Sequence, residues 1–119
     1  MNTMIFKKLL LIAAIGWTII MFIGCSWPGE SVPESLSNRD KLTHIAIFAA
    51  FGFLWRLAGQ STVKVLLAGI LYGVLIEIWQ GIMPINRSCD LADAVADTAG
   101  VCIGILLALP INRYLSKVV

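Results

Sequence analysis

Four side chains carry most of the chemistry this chain can offer: His44, Glu77, Asp93 and Asp97. His44 is the one histidine of the sequence. Beside carboxylates, an imidazole can relay protons as a general acid or base, or it can join them as a ligand to a divalent ion. His44, Glu77 and Asp93 are therefore the catalytic candidates, and Glu77, Asp93 and Asp97 are the metal-ligand candidates. Asp40, Lys41, Gln80, Arg87, Asp90 and Asp97 could add charge and hydrogen bonds around a bound ligand. Internal pairing is the plainer alternative, with Lys41, Arg87 and His44 neutralising the acids and locking the fold. Five carboxylates, Asp40, Glu77, Asp90, Asp93 and Asp97, against two fixed cations and one histidine leave an excess. Protonation of one or two acids, a divalent cation, or solvation at a helix end would absorb that excess. No zinc-type spacing, nucleophile elbow or phosphate-cradling glycine loop is present, and no cofactor beyond such a cation is indicated.

The elements that must position these residues are apolar. The 119 residues are 59% hydrophobic and 13% charged, against about 25% charged in soluble domains. That composition excludes a water-soluble fold, which would have to expose a large apolar patch. The apolar stretches predict four membrane-crossing helices, over about 6–25, 41–58, 62–83 and 91–111, each near the ~20 residues that span a bilayer core. No stretch sustains the alternation of a strand. The expectation is an all-α fold, a four-transmembrane-helix antiparallel bundle forming a single domain over 1–119. Ser26 to Asp40, with two prolines and four serines, reads as an external loop, and short connections make helices 2, 3 and 4 sequential neighbours.

At 100° per residue, Asp90, Asp93, Asp97, Gly100 and Gly104 share one face of the fourth helix. Gly69, Gly73, Glu77 and Gln80 share one face of the third, and Lys41, His44, Phe48, Phe51 and Trp55 share one face of the second. Small residues four apart let membrane helices pack closely, so the glycine pairs predict helix contacts, with the polar ends of their stripes facing one another. Glu77 and Asp97 then lie about 10 Å inside the outer turns, where an ionisable group is expensive unless paired or wet.

A net charge of +2 is too small to suggest a nucleic-acid partner. With a cytoplasmic N-terminus, inner segments hold Lys7, Lys8, Arg56, Lys64, Arg113 and Lys117, and outer ones hold Arg39, Lys41 and Arg87. This distribution predicts both termini in the cytoplasm and the polar site on the outer face of the cell membrane. A lipoprotein-type signal ending at Cys25 is a second reading of the N-terminus and would leave the polar face where it is. Cys25 could pair with Cys89 in an oxidising compartment, and Cys102 reads as a small packing residue.

Three motifs together resemble the VanZ-like family, named for the teicoplanin-resistance protein VanZ: "DKLTHIAIFAAFG", "EIWQGIMPINR" and "DLADAVADTAGVCIG". The preceding "WPGESVP" is similar to the family's pattern as well, and the resemblance spans about Ser26 to Leu109. At position 97 the family pattern expects asparagine, where this chain has Asp97. The resemblance implies a small polytopic inner-membrane protein of the cell envelope and a link to lipoglycopeptide resistance. It implies no assigned reaction.

The leading expectation is an outward cavity that binds an anionic lipid head group, such as a polyprenyl-phosphate cell-wall precursor. Lys41, Arg87 and His44 would meet phosphate, Gln80 would donate a hydrogen bond, and Glu77, Asp93 and Asp97 would hold a bridging divalent cation. An enzyme acting on a lipid phosphoester or glycosyl linkage could use the same residues. A membrane subunit whose polar cluster is purely structural is the third expectation; its protein partners are not indicated.

Overall fold

The computed structural model describes residues 3–26, 34–82 and 91–118, with side chains over 4–26, 41–82 and 92–115. Four helices account for nearly all of them: α1 (Thr3–Cys25), α2 (Glu34–Leu57), α3 (Thr62–Ile82) and α4 (Leu91–Val118). There is no strand among the described residues. α2 starts at Glu34, inside the stretch expected to be a loop. Pro33 just ahead of an acidic first turn is a helix-start signal that the serine-rich composition obscures. α4 runs on to Val118 through Pro110, past the expected end at 111.

The turn between α2 and α3 is fixed locally. Gly59 adopts φ 106°, its N–H donates to the Arg56 carbonyl at 3.1 Å, and the Gln60 N–H donates to the Trp55 carbonyl at 3.2 Å. That paired pattern ends a helix on a left-handed glycine. The Ser61 hydroxyl then accepts from the Lys64 N–H at 3.2 Å and caps the start of α3. With so tight a turn α2 and α3 run antiparallel.

Side-chain contacts set the other directions. Gly69 and Gly73 of α3 lie against Val101 and Asp97 of α4, an antiparallel pairing. Gly100 and Gly104 of α4 lie against the Ile45 and Ala49 carbonyls of α2, a parallel one. Both glycine pairs are thus helix contacts, but with different partners. The α2–α4 contact is the most extensive in the bundle, which departs from the expected order of sequential neighbours. Backbones as close as these are possible only where a Cβ is missing.

α1 is the least enclosed helix and is tied on by polar tethers. Trp17 Nε1 donates to the Ile47 carbonyl (2.9 Å), Trp55 Nε1 to Thr18 Oγ1 (3.0 Å), and the Tyr72 hydroxyl to the Thr18 carbonyl (2.6 Å). Phe48, Phe51, Tyr72 and Trp55 form an aromatic cluster beneath them.

The bundle is inverted relative to a soluble protein. Ile12, Ile19, Ile20, Leu67, Leu71, Leu75, Val95, Leu106 and Leu107 are exposed, while His44, Glu77, Gln80, Asp93 and Asp97 are buried. A lipid environment accounts for that arrangement, since it solvates the apolar exterior and leaves polar groups to find one another inside. Among the described residues, three helices are long and apolar enough to cross a membrane: Met4–Cys25, Thr62–Ile82 and Ala92–Leu115. The apolar run of α2, between Lys41 and Arg56, is fourteen residues, about 21 Å of helix against a hydrocarbon core of about 30 Å. Cys102, expected to pack, is exposed on α4; Val101, one position earlier, takes the packed face.

Candidate functional site

Each polar side chain of the site sits on a stripe set by helical periodicity. On α2, Lys41 and His44 are one turn apart, above buried Phe48 and Phe51. On α3, Glu77 and Gln80 follow Gly69 and Gly73 on the buried face. On α4, Asp93 and Asp97 precede Gly100 and Gly104.

Three of these stripes converge at one point. His44 and Glu77 are each 3% exposed and Asp97 is fully buried. His44 Nδ1 and Asp97 Oδ1 are 2.7 Å apart, the short distance of a charge-assisted hydrogen bond. One donor atom from each of His44, Glu77 and Asp97 lies within 4.8 Å of the others. Gly73 makes room for this: a Cβ there would stand 3.0 Å from Asp97 Oδ2.

The remaining expected residues are placed differently. Asp93 forms an ion pair with Lys41, Nζ to Oδ1 3.7 Å, at the edge of the cluster where the lysine side chain is 34% exposed. Of His44, Glu77, Asp93 and Asp97, the three that lie closest together are His44, Glu77 and Asp97. Gln80 Nε2 donates to the Cys25 carbonyl at 2.9 Å, a carbonyl at the end of α1 that has no partner within its own helix, so Gln80 joins α3 to α1. Trp79 Nε1 does likewise with Ser26 Oγ at 2.9 Å. Asp40 lies on α2 with its side chain outside the described residues, and Arg87 and Asp90 lie outside them altogether, as does Cys89.

A groove not foreseen from the sequence reaches the cluster from the side. It has a volume of about 230 Å³ and runs between α1 and α2, lined by Trp17, Ile20, Met21, Gly24, Thr43 and His44 among others. Its floor is apolar and its upper end carries the imidazole. A larger cavity of about 370 Å³ lies toward the other end of the bundle, between Thr18, Trp55, Lys64 and Tyr72. Neither could be inferred from helical periodicity, which gives no account of how far α1 stands from α2. Thr18, a lone hydroxyl between the apolar turns of α1, was the one available sign of a face turned inward.

The VanZ/LLP1 family profile matches residues 4–113. The chain belongs to the VanZ/LLP1 family. The match runs across all four helices and takes in every described residue of the cluster. No curated protein and no solved structure matches the chain. Membership in VanZ/LLP1 agrees with the membrane character of the helices and with the motifs that contain His44, Glu77 and Asp93.

Proposed function

We propose that this VanZ/LLP1 protein crosses the cell membrane four times, with both termini in the cytoplasm, and binds the anionic head group of a membrane lipid at its outer end. Polyprenyl-phosphate cell-wall precursors belong to that class of lipid. The observation that carries this reading is the double position of His44, in the buried cluster and in the wall of the groove between α1 and α2. A lipid chain lying in that apolar groove would bring its head group to His44 and Lys41, the cationic side of the site. Lys41 is partly exposed and one turn above His44, placed to meet phosphate as it approaches.

α2 crosses as an enclosed helix, packed on α4, α1 and α3. Its neighbours shield its polar residues from lipid, and Lys41 and Arg56 reach toward the two interfaces. Orientation follows from the basic residues: Lys7, Arg56, Lys64 and Arg113 all belong to the end where α1 and α3 begin and α2 and α4 finish, which makes that end cytoplasmic. A lipid-binding site at the opposite end suits the lipoglycopeptide-resistance role for which the family's namesake is known, since those drugs act at the outer face.

The test is native mass spectrometry of the protein extracted in mild detergent. Wild type is expected to carry a phosphate-containing lipid, and Lys41→Ala to lose most of it with helicity unchanged. A variant that keeps the same lipid at the same occupancy would refute the site. A second reading, catalysis on such a lipid, is favoured by the His44–Asp97 hydrogen bond, since a carboxylate that holds an imidazole in one tautomer prepares it as a base. Turnover of a labelled precursor that stops in His44→Ala would support it, whereas turnover that persists would exclude His44 as the base.

A further inference from the structure

The cavity of about 370 Å³ toward the basic end of the bundle shares no lining residue with the groove at His44. Its size falls in the range of ligand sites, about 300–1,000 Å³. Thr18 of α1, Phe51 and Trp55 of α2, and Val65, Ala68 and Tyr72 of α3 wall it, so α2 forms its back and α1 and α3 its sides. Of the helix pairs in contact, α1 and α3 touch least, which leaves the side between them open. The polar atoms inside are already engaged. Trp55 Nε1 donates to Thr18 Oγ1 at 3.0 Å, that hydroxyl donates to the Ala14 carbonyl at 2.8 Å, and the Tyr72 hydroxyl donates to the Thr18 carbonyl at 2.6 Å. What faces the space is ring and methyl surface, and a chamber of that kind stays dry and takes an apolar guest.

The mouth of the cavity is cationic. Lys64 and Gln60 stand in its wall, and Arg56 Nη1 donates to the Gln60 carbonyl at 2.6 Å, holding the turn. Lys7 reaches over from α1, its Nζ 3.7 Å from where a Cβ on Gly59 would stand. Lys7 and Lys64 are both exposed. The acids whose side chains are described, Glu77, Asp93 and Asp97, belong to the opposite end of the bundle. Depth matches as well. From Lys64 to Tyr72 is eight residues of α3, about 12 Å, which fits inside the ~15 Å that one leaflet contributes to a hydrocarbon core.

We infer that this cavity binds an anionic phospholipid from the leaflet at the basic end. One acyl chain lies along Phe51, Trp55 and Ala68, and the phosphate meets the Lys64 ammonium, with Lys7 beside it. A zwitterionic lipid offers the same chain, but its own cation opposes the two lysines, so the charge selects an anionic head group. In the proposed orientation this is the cytoplasmic leaflet. The site is distinct from the one at the outer end and does not rest on it, so either can fail while the other stands.

The experiment uses full-length protein in mild detergent and a phosphatidylglycerol that carries a diazirine midway along one acyl chain. After illumination the labelled peptides are mapped, with and without unlabelled phosphatidylglycerol or phosphatidylcholine of the same chains as competitor. Labelling is expected to concentrate in residues 65–72 and around Thr18. Phosphatidylglycerol should compete at least about fivefold better than phosphatidylcholine, the preference that one ammonium near an anionic head group confers. Lys64→Gln should bring the two competitors close to parity, and Lys64→Arg should keep the preference. Ala68→Phe, which fills the chamber and leaves its hydrogen bonds alone, should remove the labelling at unchanged helicity. Lys41→Ala, at the other end, should leave it in place. Equal competition by the two lipids in wild type would overturn the proposal, since the cavity would then hold any lipid tail. So would labelling that Ala68→Phe leaves undiminished, or displacement of the lipid by glycerol 3-phosphate, which would mark a site for soluble phosphates. Should Ala68→Phe fail to fold, the exposed Lys64→Gln still decides.

Discussion

The contact between His44 and Asp97 decides how the upper half of the bundle is held together. At 2.7 Å and with neither residue exposed beyond 3%, it satisfies a ring nitrogen that would otherwise be buried without an acceptor. Removing the acceptor leaves that nitrogen desolvated, which costs about 1–3 kcal/mol. Asp97→Ala is expected to lose that amount in detergent unfolding, while Asp97→Asn, which keeps an acceptor oxygen in place, should lose clearly less. Equal losses would mean that the contact contributes packing alone. His44, Glu77 and Asp97 were visible in the sequence as polar residues on helix faces that had to turn inward. That the polar ends of the α3 and α4 stripes face one another was expected too; that His44 of α2 pairs with Asp97 was not, because a spacing of three or four residues says which side chains share a face of one helix and not which atoms meet across two.

At the scale of elements, missing Cβ atoms determine which helices touch. A methyl group at Gly104 would run into the Ala49 carbonyl and come within 2.7 Å of the Phe53 nitrogen. Both are backbone atoms, which cannot rotate aside, so α2 and α4 would have to separate. Gly104→Ala is therefore expected to destabilise the bundle by about 1–3 kcal/mol and to disturb the cluster two turns above. Gly16→Ala on α1, where nothing lies within 4 Å, should be neutral or stabilising by up to about 1 kcal/mol from helix propensity. Unfolding of the two variants side by side checks this, and similar stabilities would contradict the close α2–α4 contact. The stripes Gly69/Gly73 and Gly100/Gly104 were legible because four residues nearly complete a turn. That the second stripe meets α2 in parallel was not, since chain order favours sequential antiparallel neighbours. α2 itself begins seven residues earlier than its apolar run suggested, Glu34 against 41, because its first two turns are polar and carry a helix signal only in Pro33 and the acid after it.

The whole molecule is a bundle 49 Å long and about 22 Å across, with an apolar coat, a polar cluster toward one end and basic side chains toward the other. Composition alone made the membrane class legible, since so few charges cannot cover a water-soluble surface. It did not reveal the lateral opening, which arises because α1 is held by a few tethers, such as Trp55 to Thr18 and Gln80 to Cys25, and packs loosely elsewhere. That opening allows lipid entry to be blocked without touching the cluster. Gly24 lines the groove and has nothing within 4 Å of where a Cβ would stand, so a phenylalanine there would fill the groove and leave the cluster intact. The measurement is photolabelling of the membrane-embedded protein with a phospholipid that carries a diazirine near its head group, followed by mapping of the labelled peptides. In wild type, labelling is expected in the α1 and α2 segments around Ile20 and Thr43, with a severalfold drop in Gly24→Phe at unchanged thermal stability. Labelling that is spread evenly over all four helices, or that Gly24→Phe leaves undiminished, would contradict a lipid site entered between α1 and α2.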